Sequence, residues 1–176
     1  MSMMKVARSS LECRLFIELD VCACGQTPGE LAHRLVSRDE RLVALYEGTC
    51  AVCGRSLEYA FPLADEIVAA DKFGGIEQSQ LIDAGQVLRE SDRAVRRVVD
   101  SPAPQNLYWL GRAIACLEEV LKWIPDGEER PPAWAFFTED GLRFSREEPG
   151  RFRRPRLLAV LAAYQEQHAL ARAQLG

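Results

Sequence analysis

The sequence contains no apolar run that approaches the roughly 18 residues needed to cross a membrane as a helix. Its first ten residues, MSMMKVARSS, also lack the apolar core of a secretory signal peptide. We therefore expect a cytoplasmic protein that makes no contact with a membrane. In that compartment the six cysteines stay reduced, so closely spaced cysteines indicate metal ligands before disulfides.

Positive charge is also in deficit. The formal net charge is -4 and the isoelectric point is near 5.3, which argues against non-specific binding of nucleic acid. The charge is uneven, because residues 141–176 carry seven arginines against three glutamates. We interpret this asymmetry as surfaces that pair with one another inside the protein, in preference to a binding face.

The motifs of common enzyme classes are missing as well. The sequence has no glycine-rich phosphate loop and no dinucleotide-binding fingerprint. A zinc deaminase needs a His-x-Glu motif beside its cysteines, whereas the stretch AHRL supplies His33 without the glutamate. Paired acidic residues such as Glu118 and Glu119 are typical of a solvated surface. The sequence therefore predicts a protein that is not an enzyme.

What the first third of the sequence does contain is a series of short strand patterns. Alternating apolar residues predict strands over 14–21 (RLFIELDV), 30–37 (ELAHRLVS), 41–48 (RLVALYEG) and 56–63 (SLEYAFPL). The second and third of these form a predicted hairpin whose turn lies at residues 37–40. The gaps that follow the first and third strands hold the closely spaced cysteines, so each cysteine pair is predicted at a turn.

Two cysteine pairs occupy these turns, Cys22 with Cys24 in CACG and Cys50 with Cys53 in CAVCG. With one or two residues between them, the cysteines of a tight turn direct both sulfurs toward one point, and the following glycine permits a positive φ. Two such turns facing each other supply the four thiolates of a closed, structural zinc site. The alternative is four buried cysteines without metal, and we favour zinc.

These paired turns resemble the knuckles of zinc-ribbon proteins over roughly residues 13–63. The resemblance implies a small sheet that is pinned by one zinc with four cysteine ligands. The first knuckle departs from the usual pattern, because its CxC spacing is one residue shorter than CxxC.

The second half of the sequence changes to a helical period. Apolar residues at steps of three and four predict main helices over about 81–100, 105–124 and 156–173, with short helical turns in the aromatic segment before the last. The predicted fold class is α+β, with a small antiparallel zinc-ribbon sheet followed by three main helices packed as one unit. We divide the chain into a zinc-ribbon-like region (1–63), a connecting loop (64–78) and a helical region (79–176).

Four further potential ligands receive no metal role. Cys13 precedes the first predicted strand and Cys116 lies in an apolar helical pattern, and both fit small buried residues. His33 alternates with strand residues and is expected to be packed or exposed. His168 lies in the last helical pattern and is expected to face solvent.

Function is assigned by elimination, because no catalytic constellation is found. We expect a zinc-stabilised interaction or adaptor protein whose partner is another protein, with an immunity protein that caps a toxin as one form of it. Scarce lysine beside abundant arginine and alanine is typical of a GC-rich bacterial genome. The alternative is a nucleic-acid-binding zinc ribbon that uses four arginines near Phe152. These arginines are Arg151, Arg153, Arg154 and Arg156.

Overall fold

The computed structural model describes residues 5–66, 68–99 and 102–175. The chain divides into two compact units, an N-terminal unit of residues 1–75 and 79–81 and a C-terminal unit of residues 76–78 and 82–176. The N-terminal unit contains an antiparallel sheet and the C-terminal unit is helical, so the predicted α+β class is confirmed. Across the part of the chain described, no helix is long and apolar enough to cross a membrane.

Three strands form the sheet of the N-terminal unit, in the order β1 (Ala32–Arg38), β2 (Arg41–Thr49) and β3 (Ser56–Pro62). All three lie where the alternating apolar residues predict them. Asp39 and Glu40 close the turn between β1 and β2 with φ values of 49° and 62°. Positive φ at both central residues is the geometry of a two-residue hairpin turn, so the predicted hairpin is present with its turn in the predicted place.

The first predicted strand is wrong. Residues 14–21 lie largely in a helix, α1 (Ser10–Leu19). Ser9 caps this helix, because its hydroxyl oxygen accepts a hydrogen bond of 3.1 Å from the backbone N–H of Glu12. Ser-x-x-Glu is a known signature of a helix start, and it was the signal in the sequence that could have identified this element.

The alternating pattern arose because apolar residues of α1 make packing contacts on several sides of the helix. Leu15 and Ile17 are both buried, and the ring of Phe16 between them contacts the ring of Phe61 on β3 at 5.5 Å. A short helix with apolar contacts on several sides can place apolar residues at alternate positions. Over eight residues this pattern cannot be told from that of a half-buried strand.

The C-terminal unit contains three long helices, one short helix and two 3₁₀ turns among its described residues. These are α2 (Ala84–Val99), α3 (Ala103–Lys122), a 3₁₀ turn (Ala133–Ala135), α4 (Glu139–Glu147), a second 3₁₀ turn (Pro149–Phe152) and α5 (Arg154–Ala173). The three long helices follow the predicted ranges closely, and the aromatic segment forms short helical turns as predicted.

Helices α2 and α4 approach closely near their N-termini. Asp83 caps α2 by accepting a hydrogen bond of 2.8 Å from the N–H of Gln86. Its second carboxylate oxygen accepts hydrogen bonds of 2.8 and 2.6 Å from the N–H and hydroxyl of Thr138, the residue that caps α4. Asp83 thus joins the starts of both helices. A side chain at Gly141 would collide with this carboxylate.

Gly85→Ala is expected to destabilise the C-terminal unit by about 3 kcal/mol, because overpacking a tight contact forces the backbone to shift. A Cβ atom at position 85 would lie 2.5 Å from the Cα of Gly141, and neither backbone can move alone. Urea unfolding followed by tryptophan fluorescence measures the effect. Gly150→Ala is the matched control, because nothing lies within 4 Å of the added carbon. Equal stability of the two variants would contradict the close crossing.

Candidate metal centre

Two loops of the N-terminal unit carry the four predicted ligands, and both close in the same way. In the first loop the N–H of Cys22 donates to the carbonyl of Gln26 at 2.8 Å, and in the second the N–H of Cys50 donates to that of Arg55 at 2.8 Å. Inside each loop the glycine N–H donates back to the carbonyl of the first cysteine, at 2.7 Å for Gly25 and 2.9 Å for Gly54. The CxC loop therefore closes with the same two backbone hydrogen bonds as the CxxC loop, although it is one residue shorter.

Each loop needs its glycine for backbone conformation. Gly25 has a φ of 83° and Gly54 a φ of 71°, and nothing lies within 4 Å of a Cβ atom added at either position. Space is therefore available, but the left-handed conformation disfavours any residue with a side chain. The glycines bend the chain back so that the preceding cysteines lie close to the facing loop.

Gly54→Ala is expected to destabilise the N-terminal unit by about 1 kcal/mol, the usual cost of a left-handed conformation for a residue with a Cβ atom. The measurement is the urea midpoint of metal release, detected with a chromophoric chelator. Gly29→Ala serves as the control, because Gly29 also has open space around it and has no positive φ. If both variants release metal at the same midpoint, the conformational role of Gly54 is refuted.

The four sulfur atoms converge on one point. The Sγ atoms of Cys22 and Cys53 are 3.6 Å apart, as are those of Cys24 and Cys50, and all four lie within 4.8 Å of one another. A tetrahedron of thiolates at a metal–sulfur distance of about 2.3 Å has sulfur–sulfur edges of about 3.8 Å. A disulfide would need about 2.05 Å. The four cysteines are therefore free thiols with the geometry of a metal site, which confirms the predicted cluster.

The cluster has a buried side and an exposed side. Cys22 and Cys50 are buried and pack with Leu57, and the partly buried side chains of Leu31 and Tyr59 complete this small apolar group. The second cysteine of each loop, Cys24 or Cys53, is exposed. Sequence reasoning did not identify the apolar group, although the alternation of β3 places Leu57 and Tyr59 on one face of the sheet.

The pKa values of two cluster thiols, Cys50 and Cys24, are shifted in opposite directions. Backbone N–H groups of Cys53 and Val52 donate to the Cys50 sulfur and lower its pKa to about 6. A backbone hydrogen bond from Gln26 lowers the pKa of Cys24, but desolvation and the neighbouring thiols outweigh it and raise that pKa to about 12. A thiolate therefore forms readily at Cys50 and is opposed at Cys24, and a cation among the sulfurs would favour the ionised form of both.

The other potential ligands lie outside the cluster. Cys13 and Cys116 are fully buried, as predicted, and burial raises the pKa of the Cys13 thiol to about 12. His33 is exposed and stacks on the ring of Tyr46, with 4.6 Å between the ring centres. His168 is partly buried on α5, so the prediction of a fully solvent-facing residue is only partly met.

The four predicted arginine contacts do not form one open cluster. Arg151 donates hydrogen bonds of 2.7 and 2.6 Å to the carboxylate of Asp92, and Arg153 donates one of 2.7 Å to Glu129. Arg154 donates to the carbonyls of Ile124, Pro125 and Glu128. Arg156 and Arg151 both line a cavity of about 220 Å³. Three of the four guanidinium groups are therefore engaged within the C-terminal unit.

Comparisons with protein-family models, with curated proteins and with solved structures find no match to this chain. The candidate site is a cluster of four cysteines with metal-binding geometry in a small α+β unit, consistent with a zinc-ribbon-like motif.

Proposed function

We propose that this chain is a non-enzymatic protein-interaction protein whose N-terminal unit is stabilised by one zinc ion. The observation that carries this proposal is the convergence of four thiol sulfurs within 4.8 Å on two loops of that unit. Four thiolates in a tetrahedron favour zinc or iron among the common metals. Zinc is the usual ion of a closed four-cysteine site on paired loops of this kind.

A structural role for the ion follows from its ligands and from the size of the core around it. Four protein sulfurs would complete a tetrahedral coordination sphere, so no position would remain for a substrate or an activated water. The apolar group beneath the loops consists only of Cys22, Cys50 and Leu57 with two partly buried neighbours. So small a group stabilises the two loops little by itself, and metal binding would supply much of the free energy that holds them folded.

The interaction surface that we propose lies at the tips of the two loops. Val52, between Cys50 and Cys53, has 69% of its surface exposed, and Val21, next to Cys22, has 53% exposed. Apolar side chains at this level of exposure are candidate contacts for an apolar patch on another protein. The ion would fix the loops that present them, which links the metal to the proposed function.

The specific setting that we propose is the bacterial cytoplasm. An immunity-type protein that caps a toxin is one form of this function, supported by the small size and the acidic net charge of -4. An acidic surface complements a basic partner, and many proteins that act on nucleic acid are basic.

Site-specific cross-linking tests the proposed surface. A photoreactive amino acid replaces Val52 in one variant and Leu35 in the control, because Leu35 has a comparable exposed fraction of 53% on β1. In the cells of origin we expect a cross-linked partner from position 52 and none from position 35. With that partner purified, Val52→Asp should raise Kd at least about tenfold, whereas Leu35→Asp should not. Equal cross-linking from both positions, or an unchanged Kd for Val52→Asp, would refute the proposed surface.

A further inference from the structure

Helix α2 carries a row of arginines that no part of the proposed function uses. Arg89, Arg93 and Arg96 are spaced by four and three residues, which places them on one side of the helix over about 10 Å. Together with Arg151 of the second 3₁₀ turn they line a groove of about 310 Å³. Phe144 of α4 forms part of its wall. The whole groove lies within the C-terminal unit.

Two of these guanidinium groups are already held in position. The Cζ atom of Arg89 lies 4.6 Å and that of Arg151 lies 5.5 Å from the centre of the Phe144 ring. Phe144 is itself buried and packs against Phe152 with 5.3 Å between ring centres. Arg151 is further fixed by its two hydrogen bonds to Asp92. A ligand that binds at this end of the groove would therefore order few additional side chains, which lowers the entropic cost of binding.

The groove is positively charged in a protein whose net charge is -4. Its lining contains four arginines and two carboxylates, those of Asp92 and Glu148. Arg93 lies 3.8 Å from Glu90, and among the carboxylates described none lies within 4.0 Å of Arg96. Guanidinium groups that converge in this way repel one another, and a bound anion relieves that repulsion.

We propose that this groove binds a diphosphate group, either free pyrophosphate or the end of a small nucleoside diphosphate. Planar guanidinium groups donate pairs of hydrogen bonds to phosphate oxygens, which makes arginine the usual residue for this recognition. Asp92 neutralises Arg151, so the available positive charge lies on Arg89 near Phe144 and on Arg93 and Arg96 farther along α2. A ligand with two linked anionic groups engages both, whereas a single phosphate reaches only one.

The wall of the groove argues against a nucleic-acid strand as the ligand. Phe144 is buried under the guanidinium groups and leaves no ring face on which a base could stack. The site therefore recognises phosphate groups and offers no aromatic surface for stacking a base. It is independent of the cysteine cluster, which lies in the other unit.

Isothermal titration calorimetry on the full chain tests this proposal with pyrophosphate, ADP, inorganic phosphate and a single-stranded DNA oligonucleotide. We expect saturable binding of pyrophosphate at one site, weakened by added salt and tighter than that of inorganic phosphate. The variant with Arg93→Gln and Arg96→Gln should raise Kd at least about tenfold. Arg143→Gln is the control, because Arg143 lies on α4 outside the lining and pairs with Asp140. Its Kd should stay within about twofold of the parent value.

The ligands distinguish the two sources of the diphosphate group. Equal affinity for pyrophosphate and ADP identifies the diphosphate alone as the ligand, and tighter binding of ADP identifies a nucleotide. Arg93 and Arg96 are exposed, and circular dichroism verifies that their variant is folded. If the double variant does not fold, Arg96→Gln alone replaces it. The proposal is overturned if neither ligand binds at about 1 mM, if the arginine variant binds with unchanged Kd, or if the oligonucleotide binds more tightly than both.

Discussion

Cys50→Ser is expected to lose the metal and to unfold the N-terminal unit. The sulfur of Cys50 lies on the buried side of the cluster, and backbone hydrogen bonds lower its pKa to about 6. Serine offers a hydroxyl that stays protonated and binds zinc weakly, so one of four ligands is lost. We expect metal affinity to fall at least about 100-fold, and the unit to become sensitive to protease because folding and binding are coupled. Cys53→Ser should behave in the same way.

The control for this result is Cys116→Ala. Cys116 is fully buried in α3 of the C-terminal unit and lies outside the cluster. This variant should retain the metal content of the parent protein, although the small cavity lowers the stability of its own unit. Metal content and limited proteolysis compare the two variants directly. A Cys50→Ser protein that keeps its metal and its resistance to protease would show that the cluster does not stabilise the unit.

Glu90→Ala is expected to destabilise the C-terminal unit by about 3–5 kcal/mol, the usual effect of breaking a buried ion pair. Glu90 accepts a hydrogen bond of 3.1 Å from Nε of Arg112, and only 6% and 5% of their side-chain surfaces are exposed. Without Glu90, the buried guanidinium of Arg112 loses this carboxylate contact while it remains desolvated. Tryptophan fluorescence in a urea titration measures the change in the free energy of unfolding.

Two comparison variants separate the ion pair from other effects. Arg143→Ala breaks an exposed ion pair with Asp140 in the same unit and should cost at most about 1 kcal/mol. The double variant Glu90→Leu with Arg112→Met removes both charges, so it should be more stable than Glu90→Ala. If Glu90→Ala unfolds at the same urea concentration as Arg143→Ala, the buried pair makes no special contribution.

The elements that the sequence predicted correctly are those with a local signal. The turn at Asp39 and Glu40 lies between two alternating strands, and the long helices follow an uninterrupted helical period. The cysteine pairs carry their own spacing and their own glycines. Local chemistry was sufficient in each of these cases, because the interactions that define the element lie within a few residues of one another.

Features that depend on distant partners could not be predicted in this way. Glu90 and Arg112 are 22 residues apart, and nothing near either residue indicates the pair. The arginines of residues 151–156 look like an open basic cluster in the sequence. In the folded unit, Arg151 reaches a carboxylate 59 residues away and Arg154 reaches the carbonyls at the end of α3. Side-chain pairing of this kind depends on how the helices pack, and it produces no periodic pattern in the sequence.

Metal content per chain is the measurement that tests the central claim most directly. Protein purified without added zinc is analysed by elemental mass spectrometry, and its thiols are titrated before and after chelation. We predict one zinc per chain, four thiols that become reactive when the metal is removed, and two buried thiols, Cys13 and Cys116, that react only after unfolding. Iron in place of zinc would change the identity of the ion and keep the site. A chain with no metal, or with its cluster cysteines oxidised to disulfides, would contradict the account.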